Sequence, residues 1–244
     1  MKVHVISLKR CTERRKAFMD MNPHVDYLFF NAVDGSTIPE KVLSNPLLFE
    51  KGLPYTKGAY GCALSHLLLW NKAIKENCVL TIAEDDAIFR KDFHVMQNKL
   101  LSSISSDWDI ILWGWNFDSI LSLNVLPDVS PTVMVFSQEK LRESINTFIE
   151  KVTYPSSLFF LDKCFGIPAY TITPQGAIKF KSLCFPLKFF SLWFPLLNRK
   201  LPNNGIDIAM NKIYSSTNSY VSFPPLVVTK NEHAISTIQT NRNT

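Results

Sequence analysis

Short apolar runs alternate with amphipathic stretches from the start of the chain. Lys2–Leu8, "KVHVISL", places β-branched residues at alternate positions and predicts a strand. Thr12 stands where an N-cap belongs, ahead of "ERRKAFMDM", a helix that Asn22-Pro23 should end. "VDYLFFNAV" predicts a second strand, closing on the turn signal Asp34-Gly35. Residues 36–57 contain Pro39, Pro46 and Pro54 and read as an ordered surface loop with a short helix. "GAYGCALSHLLLWNKAIKEN" then repeats apolar positions at helical spacing (Ala63, Leu64, Leu67, Leu68, Ile74) and predicts a long helix. Cys78–Ala83 predicts a third strand, apolar on both faces as a central strand is.

Farther on, the pattern predicts an amphipathic helix near Phe93–Leu101, a strand at "WDIILWG" and weaker strand signals near "PTVMVFS". "IPAYTIT" predicts another strand. Pro174 then opens a helix, "PQGAIKFKSLC". A short helix after Gly205 and a last strand, "YVSFPPLVV", complete the reading. Strand–helix–strand alternation in the first half predicts an α/β fold of βαβ type with a mostly parallel central sheet. With no internal repeat and no flexible linker, one domain over residues 1–244 is expected.

Composition narrows the class. The chain is 46% hydrophobic and 19% charged with a net charge of +5, which is a folded protein with a modest basic excess. Its basic residues are spread rather than gathered in a stripe, which argues against nucleic acid as a partner. Five scattered cysteines, without C-x-x-C spacing, read as reduced thiols of a cytoplasmic protein rather than a zinc site. "MKVHVISLKRCTERR" lacks the pattern of a signal peptide, and no run reaches the roughly 18 apolar residues of a membrane span.

The chemistry concentrates where the third strand ends, in "VLTIAEDDAIF". Glu84, Asp85 and Asp86 emerge at a strand's carboxyl end, the edge at which open α/β sheets hold ligands. In an extended segment Glu84 and Asp86 share a face and Asp85 takes the other. Two carboxylates on one side suit magnesium or manganese, which take oxygen ligands together with substrate phosphates. The plainer alternative is a solvated acidic turn. "LKRCTERR" puts Arg10 and Arg14 at the same edge, within reach of phosphates or a base, while Arg15 and Lys16 fit a solvated helix face. Gly58 and Gly61 sit at a helix start, which favours an anion. Ser65 and His66 follow one turn later, and a helical histidine is as readily structural.

Taken in order, "VISLKRCTERRKAF", "FNAVDG", "GAYGCALSHLLLW", "LTIAEDDAIF", "AYTITPQGAIKF", "PNNGID" and "FPPLVV" resemble glycosyltransferase family 25. This family comprises bacterial lipooligosaccharide glycosyltransferases and includes collagen galactosyltransferases among its relatives. The resemblance implies a single Rossmann-like domain of GT-A type and an inverting transfer from a nucleotide sugar. UDP-galactose is the implied donor, a lipooligosaccharide or other glycolipid or oligosaccharide the acceptor, and manganese (or magnesium) the cofactor. By the same resemblance Asp86 would ligate the metal, Glu84 would support the metal shell or ribose, and Asp85 would line the donor-sugar site. Leu8, Arg10, Arg14, Asp34, Ser65 and His66 would bind the donor. Asp207 in "PNNGIDIAM" would be the general base, although a helix-start carboxylate there is equally natural. Asp34 likewise reads as a turn-forming Asp. In "TKNEHAISTI", His233 would be a third metal ligand and Ser236 a diphosphate contact.

Two further readings bear on partners. "CFPLKFFSLWFPLLNRK", Cys184–Lys200, is either core under a loop or a surface patch with the basic flanks Lys179, Lys181, Arg199 and Lys200. The second would rest on the anionic inner face of the cytoplasmic membrane. The rival enzyme class is a metal-dependent phosphohydrolase or nucleotidyltransferase, which ordinarily gathers more acids or histidines around two metals than the single cluster here.

Overall fold

Val3 and Val5 turn to one side of the first strand and Ile6 to the other, and both sides are buried. That double burial sets the architecture. The computed structural model describes residues 1–127, 129–194 and 198–231. It begins with β1 (Val3–Ser7), α1 (Thr12–Met21), β2 (Tyr27–Asn31), a 3-10 turn at Gly35–Thr37, α2 (Glu40–Leu43) and α3 (Lys57–Glu76). Then come β3 (Leu80–Glu84), β4 (Ala87–Phe89), α4 (Phe93–Ser103), β5 (Ile110–Leu112), β6 (Ile120–Leu126) and β7 (Ser130–Val135). Next are α5 (Gln138–Glu143), α6 (Ile145–Ile149), β8 (Ser157–Cys164), β9 (Ala169–Ile172) and α7 (Pro174–Cys184). The remaining elements are β10 (Ser191–Phe194), β11 (Arg199–Pro202), α8 (Ile206–Asn211), β12 (Ser219–Phe223) and β13 (Val227–Thr229).

The central sheet runs β2-β1-β3-β9-β5-β12-β8-β6-β7. Among the described residues six of its nine strands share one direction, and β9, β8 and β7 oppose them. Parallel pairing joins β2, β1 and β3 in the βαβ half, and also β5 with β12. The far half is an antiparallel extension, β8-β6-β7, whose β8 the apolar pattern did not single out. One sheet face carries α1 and α4 over Val3, Val5, Ala83 and Ile111, and the other carries α3, α7 and α8 over Ile6, Ile82, Leu112 and Tyr170.

Helix α3 is the spine of the second face. Trp70 and Ala73 are fully buried on it, and a large apolar side chain taken out of water contributes about 1.5–3 kcal/mol. Thr56 Oγ1 accepts the Ala59 N–H at 3.0 Å to start the helix. Asn77, left-handed at φ 48°, ends it. Helix α1 departs from expectation: Thr12 is its first helical residue, and the cap is Cys11, which makes no side-chain capping bond. The expected last strand is two, β12 and β13, because Pro224-Pro225 interrupts it.

The apolar segment from Cys184 divides between the two readings made of it. Cys184, Leu187 and Phe194 are buried, whereas Phe189 is 62% and Trp193 49% exposed, with Trp193 paired across to Lys200. Pro195, Leu196 and Leu197 lie outside the described residues. All five cysteines are free thiols, Cys164 and Cys184 buried and the others partly so. No described helix is long and apolar enough to cross a membrane.

Candidate active site

The chain leaves β1 through α1 to reach β2 on one side, then returns through α3 to β3 on the other. Connections therefore part company at the carboxyl ends of β1 and β3, the switch point where open sheets leave a crevice. A cavity of about 500 Å3 occupies it. Ser7 and Leu8 from β1, Asp34 after β2, and the carboxylates after β3 all line it. Strand β13 pairs with β4 and brings Thr229, Lys230 and Asn231 to the same rim.

The three carboxylates do not alternate as an extended segment would. β3 stops at Glu84, and Asp85-Asp86 form a tight turn into β4. Each consequently has its own surroundings. Asp85 is committed within the protein: Ser7 Oγ donates to it at 2.7 Å, and Arg14 donates to the other oxygen from Nε at 2.9 Å and again from Nη2. Arg14 Nη2 lies farther, 3.8 Å, from Asp86. Glu84 faces inward, its Oε1 3.7 Å from His66 Nε2 and 3.9 Å from Cys62 Sγ.

Burial, then the charges of Asp207 and Asp85, push the Glu84 carboxyl up to about 8. Burial and Glu84 push Asp86 up to about 7. Asp86 Oδ1 is sealed from solvent without a hydrogen-bond partner, although the side chain as a whole is 39% exposed. Two repelling carboxylates with an orphaned oxygen, opening on a cavity, match a hard divalent ion that takes the rest of its shell from phosphate and water. Asp86 and Glu84 are the residues that could hold such an ion, and their oxygen donors suit manganese or magnesium.

Around the turn, Arg10 Nε donates to Asp34 Oδ2 at 2.6 Å, holding that carboxyl well below the usual range. Asp34 also accepts from the Ser36 N–H at 3.0 Å, so it is the turn-former and a cavity wall together. Gly61 is a packing residue rather than an anion-binding one: a Cβ there would lie 2.5 Å from Val33 O. Ser65 is fully buried, accepting from the Val33 N–H at 2.9 Å and donating to Gly61 O at 2.7 Å. It fastens α3 to the "AVDG" loop instead of meeting a donor. His66 is likewise fully buried behind Glu84, its Nδ1 2.8 Å from Tyr170 Oη, and burial lowers it to about 4. Neither residue lines the cavity. Arg15, expected on a solvated face, instead ties the ends of β1 and β2 by donating to Ser7 O and Asn31 Oδ1, both at 2.8 Å.

The family model for glycosyltransferase family 25 (LPS biosynthesis protein) matches residues 1–190. The chain belongs to this family. "Putative glycosyltransferase R655" of Acanthamoeba polyphaga mimivirus is 38% identical over 125 residues, 47% of this chain and 37% of the relative. "Lipooligosaccharide biosynthesis protein lex-1" of Haemophilus influenzae is 32% identical over 121 residues, 39% of this chain and 40% of the relative. Human "Procollagen galactosyltransferase 2" is 30% identical over 126 residues, 46% of this chain and 20% of its own length. The mouse "Inactive glycosyltransferase 25 family member 3" is 30% identical over 128 residues, 46% of this chain and 21% of its own length. The chain thus matches well under half the length of each relative.

Of the residues expected from the sequence, the structure brings Leu8, Arg10, Arg14, Asp34, Glu84, Asp85 and Asp86 to one cavity. Asp207 does not line it. Its Oδ2 accepts the Gly166 N–H at 3.2 Å, and burial raises its carboxyl. His233 and Ser236 lie outside the described residues. Sequence reasoning missed Ser7, Lys57, Cys62 and Lys230, all of which line the cavity. The first and last sit at strand ends beside the carboxylates, a position that was legible; Lys57 opens α3, and only the fold turns Cys62 toward Glu84.

Proposed function

We propose that this chain transfers a hexose from a nucleoside diphosphate donor to a glycan hydroxyl, with inversion and with a divalent ion at Asp86 and Glu84. The carrying observation is the pair of carboxylates at the switch-point cavity, Asp86 with one oxygen lacking a hydrogen-bond partner and with Arg14 no nearer than 3.8 Å because that guanidinium is bonded to Asp85. When bound, manganese or magnesium would supply charge stabilisation to the departing diphosphate. Arg14 neutralises Asp85 and fixes the turn, leaving the other two acids for the ion. Lys57 and Lys230 on the rim attract the donor's phosphates, and Arg10 holds Asp34 against the nucleoside. Asp207, its carboxyl raised by burial, takes the acceptor proton; a base on the acceptor side need not line the donor cavity.

UDP-galactose is the donor of choice because galactosyltransferases stand among the relatives, and a lipooligosaccharide sugar is the acceptor suggested by lex-1. An acceptor anchored in a membrane would bring exposed Phe189 and Trp193, with Arg199 and Lys200 beside them, against an anionic lipid surface.

The test is release of nucleoside diphosphate from a panel of nucleotide sugars, with manganese or with EDTA. We expect metal-dependent release from one donor, and loss of at least about 100-fold in Asp86→Ala with the fold retained by circular dichroism. Metal-independent release, or full activity in folded Asp86→Ala, would overturn the assignment.

A further inference from the structure

We infer that Cys62, His66 and Glu84 form a second metal site, one for a zinc-like transition ion, on the inner wall of the cavity. Cys62 and His66 are four residues apart on α3 and so share a face, the spacing by which one helix presents two ligands to a single ion. Glu84 meets them from the end of β3. The three ligand atoms, Sγ, an imidazole nitrogen and a carboxylate oxygen, all lie within 4.8 Å of one another. Tetrahedral zinc with bonds of about 2.0–2.3 Å separates nitrogen from oxygen by about 3.3 Å and sulfur from oxygen by about 3.5 Å. The observed 3.7 Å and 3.9 Å need to close by only a few tenths of an ångström.

The independent sign of a ligand is His66 Nε2. It belongs to a fully buried ring, is aimed at Glu84, and has no hydrogen-bond partner. Its other nitrogen is already oriented: Nδ1 lies 2.8 Å from Tyr170 Oη, which also accepts from Trp70 Nε1 at 2.9 Å. An imidazole held through one nitrogen, with the other free of hydrogen bonds and facing a carboxylate, is how metal-binding histidines are supported. Thiolate, imidazole and carboxylate together favour zinc or cobalt over magnesium. Three protein ligands leave a fourth position for water. Cys62 and Glu84 line the cavity, which provides the entry path.

Because Glu84 belongs to both sites, zinc here would withdraw it from the ion proposed to assist transfer; this consequence alone rests on the proposed function. Binding itself is tested without turnover. The full-length chain, freed of metal, is titrated with cobalt(II) and the product challenged with zinc. We expect a thiolate-to-cobalt charge-transfer band with tetrahedral visible bands, displaced by zinc, and zinc protection of Cys62 from alkylation read by mass spectrometry. Cys62→Ser, checked for folding by circular dichroism, should abolish the charge-transfer band. Tyr170→Phe should weaken binding by about 10–100-fold through loss of the supporting hydrogen bond. Cobalt bound without a thiolate band, a band that survives Cys62→Ser, or alkylation of Cys62 unaffected by zinc would overturn the site. Zinc binding with no effect on transfer would separate failure of the shared-Glu84 consequence from failure of the site.

Discussion

Gly61→Ala tests the packing of helix α3 against the donor-side loop. An added Cβ would lie 2.5 Å from Val33 O and 2.8 Å from Gly35 N, both backbone atoms. The loop has no room to retreat, since a Cβ at Gly35 would itself fall 1.7 Å from Lys57 O, and Val33 N is held by Ser65 Oγ at 2.9 Å. Helix propensity acts in the other direction, favouring alanine over glycine by about 1 kcal/mol. Overpacking costs about 1–3 kcal/mol, and two clashes with fixed backbone atoms place this one at about 2–3 kcal/mol, so a net loss of about 1–2 kcal/mol is expected. For a domain of this size each kcal/mol lowers the melting temperature by about 2–4 °C. Because Asp34 rides on the displaced loop, donor KM should rise by more than kcat falls. Calorimetry and donor kinetics on the same preparation check both parts. A melting temperature equal to or above that of the parent would refute the close-packing argument.

Other expectations follow from the same structure. The Glu84 and Asp86 carboxyls hold protons to about 8 and about 7 in the fold, against ordinary values of 4.5 and 3.8. Their stability contribution is therefore complete below pH 4 and lost as pH rises through 7 to 8. Urea midpoints measured in EDTA should show this fall, and Glu84→Gln should remove part of it; a profile unchanged by that substitution would contradict the assignment. Arg14→Met strips the guanidinium from Asp85, which is only 9% exposed, and should lower unfolding free energy by roughly 2–3 kcal/mol, below the ~3–5 kcal/mol of a fully buried pair because Arg14 is 22% exposed. A double-mutant cycle with Asp85→Asn measures that coupling. Thr171→Val leaves Trp113 Nε1 and Gln97 Nε2 short of a shared acceptor, now 2.7 Å and 3.1 Å away, at a cost of about 1–3 kcal/mol in chemical unfolding. Trp193→Ser should reduce co-sedimentation with phosphatidylglycerol vesicles if the exposed hairpin face meets lipid; equal sedimentation would exclude that face.

Much of the site was legible before any coordinates. The strand-helix-strand rhythm marked β1, β2, α3 and β3, and the carboxylates after β3 stood at a carboxyl edge where a ligand was expected, with a solvated acidic turn as the alternative. Local signals failed where the outcome depended on a distant partner. Alternation along an extended segment predicted that Glu84 and Asp86 would pair off from Asp85. Asp85 is indeed set apart, but by a turn in which Arg14 and Ser7 draw on it rather than by alternation, so the outcome was legible and its cause was not. The resemblance implied Ser65 as a donor contact, yet the loop 32 residues earlier takes its hydroxyl. The antiparallel β8-β6-β7 extension was faint for a similar reason, since β6 and β8 meet across sequence distances at which no spacing rule operates.

The sequence by itself determined the helical and extended periods, the parallel first half and the acids at its edge, since these follow from residue spacing over a few turns or a single strand. Only the tertiary structure decided which acid is bonded to Arg14, that Asp86 keeps an oxygen without a hydrogen-bond partner, and that Cys62 and His66 converge on Glu84 from another element. Those outcomes depend on how packed faces bring distant residues together, and residue spacing along the chain does not report that.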